Sequence, residues 1–258
     1  MTKTSLLFEP AMPWISLKNG AVASRPLDAL EQAVALVRSG ECGALVTGPV
    51  AKSAIAEIDP TFVGQTEFLA DACGLPREDA VMMLAGPSLK TVPMTVHCAL
   101  ADVPARLSQD LIVQRSRIVH KALRSDYGIE NPRIAIAGLN PHAGEGGLFG
   151  TDDEKIVAPA IAEAQQIGVD AYGPFGADTM YLDESYDAYV VMFHDQGHIP
   201  AKLLGFNGTA AFAIGTPVLF SSVAHGSALD IAGRGKADPG ALIWAIKQVS
   251  GAAVSAED

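Results

Sequence analysis

The sequence predicts an α/β fold: mostly parallel sheets with helices on both faces. Three observations carry this. Short apolar runs alternate with amphipathic stretches of helical period. The runs are continuous rather than alternating, as expected for strands covered on both faces. The chain, 258 residues long, 49% hydrophobic and 18% charged, is large enough to bury a core without covalent staples.

The segments GALVT (43–47), AVMML (80–84), KTVPMTV (90–96), RIAIAGL (133–139), AYVVMF (188–193) and AAFAI (210–214) read as buried strands. Ahead of the first, Leu27, Leu30, Val34 and Val37 recur at helical spacing and Gly40 supplies a stop. Leu111, Ile112, Ile118, Val119 and Leu123 mark one side of a helix over 111–123, in which His120 is an ordinary helix residue. The stretch 152–167 opens on acidic residues, which suit a helix N-terminus, and ends before Gly168. Pro159 is expected to kink or split it. Pro239 opens a last helix through Val249, and residues 251–258 are expected to fray. No internal repeat or linker is visible in the composition.

Charge and cysteine usage narrow the class. Lys and Arg number 18 against 29 Asp and Glu, a formal charge of −11. A nucleic-acid surface needs clustered positive charge, so that class is excluded. Cys42, Cys73 and Cys98 are scattered with no C-x-x-C, which excludes a disulfide framework or zinc ribbon and fits a reducing compartment. The longest uncharged run, 203–229, is too broken by Gly, Asn, Pro, Ser and His for a membrane span. The first residues carry no long apolar core before a cleavage site, so no signal peptide is read. A cytoplasmic soluble protein with no membrane partner is expected.

Three histidines share a position type. His97 follows KTVPMTV, His142 follows RIAIAGL within NPHAGEGG, and His194 follows AYVVMF within HDQG. Each stands at or beyond the carboxyl end of a predicted strand, the edge where parallel sheets bind ligands. Three imidazoles there suit a divalent cation with positions left open for substrate. The alternative is that each caps its strand by bonding a carbonyl. His198, one turn past His194, is a fourth site residue or a surface histidine. Lys202 reaches the same cleft or is a solvated helix lysine. Asp178, in the turn GPFGADT, is a candidate support for a metal-bound histidine. Cys98, adjacent to His97 and so on the opposite strand face, reads as a small buried hydrophobe.

Two further segments carry chemistry. The loop HGSALDIAGRGKADP (225–239) has glycines that permit close backbone approach and N–H groups that can hold phosphates. Asp230 in it can accept both hydroxyls of an adenosine ribose and oppose a 2′-phosphate, favouring NAD over NADP. A plain glycine-rich turn is the alternative, because this is not the G-x-G-x-x-G fingerprint. TGPVAK (47–52) follows a strand directly, and its Lys52 binds an anion, acts on a proton or lies on the surface. In GQTEF (64–68), Thr66 is a candidate helix N-cap. No G-x-S-x-G or Walker motif occurs.

From about residue 17 onward the sequence resembles the 4-hydroxythreonine-4-phosphate dehydrogenase family of pyridoxal phosphate biosynthesis, through TGPVAK, LNPHAGEGG, GADT, HDQG and HGSALDIAGRGKAD. The last segment is also similar to the adenosine-binding loop of β-decarboxylating dehydrogenases such as isopropylmalate dehydrogenase. The resemblance implies a two-lobed fold of that kind. An N-terminally shortened NAD-side lobe would take residues 1–64 with 208–258. A metal, substrate and dimerisation lobe would take 65–207. It implies NAD-dependent oxidation of a secondary alcohol to a ketone, then decarboxylation, in a homodimer with a shared active site. Divalent-metal ligands would be His97, His142 and His194, one of the three given by the dimer partner; zinc, magnesium, manganese and cobalt are not distinguished. Lys202, Lys52 and Asp195 would be catalytic, and Gln65, Thr66 and Lys202 would bind substrate. The cofactor would meet His225, Gly226, Ser227, Asp230, Gly233 and Asp238.

The chain departs from the family pattern in places. Gln65 replaces a histidine, Ala211 an asparagine and Phe220 an arginine, and the opening GDPAGIGPE motif has no counterpart. Phenylalanine offers a phosphate no donor. His198-Ile199-Pro200 and Ser221-Ser222-Val223 resemble the terephthalate cis-dihydrodiol dehydrogenase branch, whereas TGPVAK and GQTEF resemble the biosynthetic one. The expected substrate is therefore a carboxylated, unphosphorylated secondary alcohol such as a dihydrodiol carboxylate. The alternatives are true 4-hydroxythreonine-4-phosphate dehydrogenase activity and a non-catalytic binding protein.

Overall fold

The structure, a computed structural model, describes residues 26–52, 55, 57, 59–205 and 208–250. The readings for the first residues and for the 251–258 tail lie outside these. In chain order the elements are helix α1 (Pro26–Arg38), strand β1 (Leu45–Thr47), helix α2 (Gln65–Cys73), strands β2 (Val81–Ala85) and β3 (Lys90–Thr95), helix α3 (Gln109–Ser125), strand β4 (Ile134–Ala137), helix α4 (Ala158–Gln166), strands β5 (Ala171–Phe175) and β6 (Ala188–Phe193), helix α5 (His194–Gly205), strands β7 (Ala210–Ile214) and β8 (Phe220–Val223), and helix α6 (Gly240–Val249). Two compact units result, Met1–Met82 with Asn207–Asp258, and Met83–Phe206. The architecture is α/β, with mixed, mostly parallel strands flanked by helices.

In the first unit the strands run in the order β1-β8-β7. β1 is parallel to β8, with Leu45 opposite Phe220, and β7 is antiparallel to β8, with Ala211 opposite Ser222. Val34 of α1, Leu45, Leu69 of α2, Ala213, Val218 and Phe220 form one core cluster. Gly40 closes the exit of α1 at φ 80°, a left-handed conformation that glycine takes without penalty. Pro239 stands at the N-cap of α6, whose Ala241, Ala245 and Val249 are buried. The resemblance put the first lobe boundary at residue 64. Helix α2 lies beyond that point, yet Leu69 anchors it among the core residues of the first unit. Thr66 is not the cap of α2: Gly64 takes that place with extended backbone and no side-chain bond, and Thr66 is buried in the first turn.

In the second unit the order is β2-β3-β6-β4-β5. β3, β4 and β5 are joined through parallel pairings with β6 and with each other, and only β2 runs antiparallel, to β3. The residues of β2, β3, β4 and β6 are buried nearly without break, which is why these strands were legible as continuous apolar runs, whereas β5 is buried only at Ala171. The Ser108 hydroxyl caps α3 by accepting from Leu111 N–H at 3.1 Å. Ile112, Val119 and Leu123 are fully buried, and α3 packs on α4. Helix α5 packs on β3 and β6. It does so through Gly197, where a Cβ would stand 3.0 Å from both Thr91 and Val191 side chains. The 152–167 stretch is split as expected, though by a single wide (π) turn, Asp153–Val157, that hands over to α4. Pro159 sits in the first turn of α4, where its missing N–H is harmless.

The parallel pairings have one consequence for function. The carboxyl ends of β3, β4 and β6 leave the same edge of the second unit, and with them the segments bearing His97, His142 and His194.

Candidate active site

At that edge the His97 and His194 rings lie with centroids 6.4 Å apart and tilted by 45°. His194 stacks on His198, 3.8 Å between centroids and 18° between planes. The i, i+4 spacing in α5 puts these two on one helix face. His198 is 6% exposed, so it is a site residue rather than a surface one. Burial pushes its pKa down to about 4, and the charges of His194, Lys202 and His97 act in the same direction. The carbonyl of His194, accepting from His198 Nδ1 at 3.0 Å, opposes the shift. Those charges place His97, His194, His198 and Lys202 in one electrostatic neighbourhood.

The tautomer of His194 follows from its partner. Nδ1 meets Asp195 Oδ1 at 2.6 Å, so the carboxylate takes the Nδ1 proton and the Nε2 lone pair is left available. Asp195, expected as catalytic, is the side chain that holds the His194 ring here. His142 is held the same way, Nδ1 to Glu145 Oε2 at 3.0 Å, and its ring edge meets Phe149. The side chain that bonds His142 is Glu145, whereas Asp178 was the candidate for such a support.

Within one chain the three histidines are not gathered, and the resemblance had one of them come from the dimer partner. Among the described residues no three His, Cys, Asp or Glu side chains are arranged to hold a metal ion. His97 and His194 form a pair, while His142 is 63% exposed. The reason lies in the backbone: residues 142–147 all have positive φ, including His142 (52°), Ala143 (53°) and Glu145 (44°), and this left-handed run sets the ring out toward solvent. One chain therefore fits a divalent cation with an incomplete donor set. Cys98, expected buried, is only half-buried.

Sequence reasoning missed the residues that brace this edge. Asp153 is 1% exposed, and its carboxylate accepts from Leu139 N–H at 2.6 Å, Asn140 N–H at 3.0 Å and Asn140 Nδ2 at 3.0 Å. Gln196 Oε1 accepts from Met192 and Phe193 N–H at 2.8 and 3.3 Å, and its Nε2 donates to Gly138 O at 3.0 Å. The i, i+3/i+4 return of Gln196 onto the end of β6 is a signal that the HDQG motif carried. Nothing in the run TDDEK set Asp153 apart from Asp152.

The first unit carries the other expected residues at the carboxyl end of β1 and in the 225–239 loop. Thr47 Oγ1 donates to Gln65 Oε1, and Gln65 Nε2 donates to Gly48 O at 3.2 Å. Both ends of the Gln65 amide are thus engaged by the Thr47–Gly48 turn. Lys52 Nζ and Glu67 Oε2 lie over Gly64, 3.8 and 2.7 Å from where a Cβ would stand. Phe220 is 4% exposed within the core cluster, so its ring faces the interior. Gly226, Ser227, Asp230, Gly233 and Asp238 are all exposed, and His225 is half-buried with Nδ1 on Gly226 O at 2.9 Å. Gly233 and Gly235 take φ of 73° and 64°, so glycine is required for the loop's course. Asp238 Oδ1 accepts from Gly240 N–H at 2.8 Å, a bond that fixes the start of α6.

Imidazoles and a lysine at the carboxyl edge of parallel strands, with a separate exposed glycine loop, define an α/β protein built to bind ligands at its strand ends. The model of the pyridoxal phosphate biosynthetic protein PdxA matches residues 13–249, and the chain belongs to that family. It is 50% identical over 227 residues to 4-hydroxythreonine-4-phosphate dehydrogenase of Erythrobacter litoralis, covering 87% of this chain and 68% of the relative. The crystal structure of 4-hydroxythreonine-4-phosphate dehydrogenase from Klebsiella pneumoniae superposes with a TM-score of 0.80 at 36% identity, over 92% of this chain and 73% of that one. A terephthalate 1,2-cis-dihydrodiol dehydrogenase from Burkholderia xenovorans gives a TM-score of 0.69 at 37% identity, over 97% and 80%.

Proposed function

We propose that this chain is an NAD-dependent dehydrogenase that oxidises the secondary alcohol of 4-hydroxythreonine 4-phosphate, with loss of the carboxyl group from the resulting β-keto acid. The observation that carries the reading is the cluster of His97, His194, His198 and Lys202 at one strand edge, in a chain half identical to a relative of that name. The unphosphorylated substrate expected from the departures is the second reading, and the interior-facing Phe220 and the engaged amide of Gln65 favour it.

The chain's own residues divide the work. His97 and His194 offer two imidazoles to a divalent cation, and a second copy of the chain completes the set with His142. A cation bound there would supply Lewis-acid polarisation of a substrate oxygen, and NAD would be the hydride acceptor. Asp195 orients the His194 ring and keeps its proton at Nδ1. Lys202 pairs with an anionic group of the substrate, and Thr66 and Lys52 are read as substrate-side residues from the family resemblance. Asp230 receives the adenosine ribose and disfavours a 2′-phosphate. The homodimer reading is supported by large apolar side chains left exposed on the second unit, Leu148, Leu182, Leu203 and Leu204 among them. The cytoplasmic reading is supported by three free cysteines, and no described helix is long and apolar enough to cross a membrane.

The test is NADH formation by the purified protein with a divalent cation, comparing 4-phosphohydroxy-L-threonine with unphosphorylated hydroxy-acids and dihydrodiol carboxylates. A kcat/KM at least tenfold higher for the phosphorylated substrate is expected. The reverse order establishes the second reading, and no turnover of any of them rejects both.

A further inference from the structure

We propose that Asp153 and Gln196 are positioning residues that together lock the loop bearing His142 to the strand end bearing His194. The proposal rests on the assignment of His142 and His194 as functional residues.

The geometry carries it from two sides. The loop after β4 runs through residues 142–147 in left-handed backbone, three of them non-glycine. Such backbone is costly for a residue with a side chain and persists only where the surroundings over-determine it. Asp153 supplies that constraint at the loop's entry. Its two oxygens take three donors from Leu139 and Asn140 in a fully buried position. The backbone closes down on the carboxylate: a Cβ at Gly138 would stand 2.9 Å from Asp153 Oδ1, and one at Gly144 3.4 Å from Oδ2. No other charged side chain among the described residues is as deeply buried. The wide turn that starts at Asp153 places it there, and such turns cluster at functional sites.

Gln196 supplies the second tie. Its one amide accepts from the last two strand residues before His194 and donates to the carbonyl of Gly138, next to the Asp153 bonds. Gly138 is therefore held from both sides, by Gln196 at its carbonyl and by Asp153 at the next amide. Two strand ends that meet only through parallel ladders are thereby fixed to each other at the level of the histidines.

The experiment uses the full chain and four proteins: wild type, Asp153→Asn, Gln196→Met and His142→Ala. The asparagine keeps the shape of Asp153 but replaces one acceptor by a donor, so a loop N–H loses its partner. Gln196→Met keeps the volume and removes all three bonds, and it serves if Asp153→Asn does not fold. Amide hydrogen exchange is read at Leu139 and Asn140 against Val190 and Val191 in β6. Affinity for Mn2+ alone is read by calorimetry well below the unfolding midpoint. For either variant we expect exchange at Leu139 and Asn140 at least tenfold faster with Val190 and Val191 unchanged. We also expect a 10–100-fold loss of Mn2+ affinity, and a fall in kcat at unchanged KM for NAD. A purely structural role lowers the midpoint and leaves Mn2+ affinity of the folded variant intact, and that result overturns the proposal. If His142→Ala weakens Mn2+ binding while both clamp variants bind normally, the proposal falls and the functional reading stands. If His142→Ala itself binds Mn2+ as wild type does, the functional reading falls and takes the proposal with it.

Discussion

Two glycine-rich loops, one in each unit, make opposite use of the same residue. In the 138–150 loop of the second unit, glycine is demanded by crowding at Gly138, Gly144 and Gly150. A Cβ at Gly138 would lie 2.6 Å from Ala143 Cα, and one at Gly150 2.8 Å from Asn140 Nδ2. In the 225–239 loop of the first unit, a Cβ at Gly226, Gly233 or Gly235 would meet no atom within 4 Å. The first loop is packed around a buried carboxylate and holds an imidazole at a fixed place. The second is exposed to solvent along most of its length, with the Ile231, Ala232 and Arg234 N–H groups bonded inside the loop. Crowded glycine therefore marks where the protein pre-organises its own side chains, and open glycine marks where it leaves room for something else.

The largest expected effect tests how dry the pre-organised side is. His198 has its pKa lowered from 6.5 to about 4 by burial and by neighbouring positive charge. Between those values the unfolded chain binds a proton that the folded chain refuses, so stability must fall as pH is lowered through that window. At about 1.4 kcal/mol per pKa unit the full loss below pH 4 is about 3 kcal/mol. Urea unfolding of metal-free protein at pH 7 and pH 5 should show the loss for wild type, and His198→Asn should flatten it. An imidazole NMR titration with a midpoint near the ordinary value contradicts the burial of His198.

Next in size is a direct contrast of the loops. Gly138→Ala forces a methyl into Ala143 and Asp153, and overpacking of this kind costs about 1–3 kcal/mol. Gly226→Ala adds a methyl to open space, and its unfolding free energy should stay within about 0.5 kcal/mol of wild type. Equal losses in denaturant unfolding would erase the distinction between crowded and open glycine.

How much of this contrast was legible beforehand follows the physics of each region. Strands buried on both faces write themselves as continuous apolar runs, so β3, β4 and β6 were readable. The rule that ligands sit at carboxyl ends then located His97, His142 and His194 without any structure. β5 was not readable, because Gly173 and Pro174 interrupt it and only Ala171 in it is buried. β8 was missed because its FSSV is half hydroxyl, each serine bonding a neighbouring backbone carbonyl. The outward set of His142 was also out of reach: left-handed backbone at a non-glycine residue has no compositional mark. The burial of Asp153 likewise depends on one extra residue in a helical turn, which periodicity does not resolve. His198 is the instructive middle case. Its stacking on His194 was implicit in the i, i+4 spacing, but its burial depended on how α5 packs through Gly197 on β3.

The smallest effect concerns the open loop alone. Asp230 is exposed, and no stability should ride on it. Its consequence is for cofactor choice. In the proposed complex its carboxylate accepts from the ribose hydroxyls and repels a 2′-phosphate, and removing it should leave the loop's course unchanged. That course is set elsewhere, by left-handed backbone at Ala228, Gly233 and Gly235 and by the Asp238 bond to Gly240 N–H. Asp230→Ser should therefore lower the preference for NAD over NADP by about tenfold in kcat/KM, roughly the 1.4 kcal/mol of one decade. The unfolding midpoint and Mn2+ affinity should not move. A change in metal binding on Asp230→Ser would mean that the two loops are coupled and that the open one is not free to act as a separate cofactor element. An unchanged NAD to NADP ratio would remove Asp230 from the ribose and leave only the loop's backbone amides to recognise the dinucleotide.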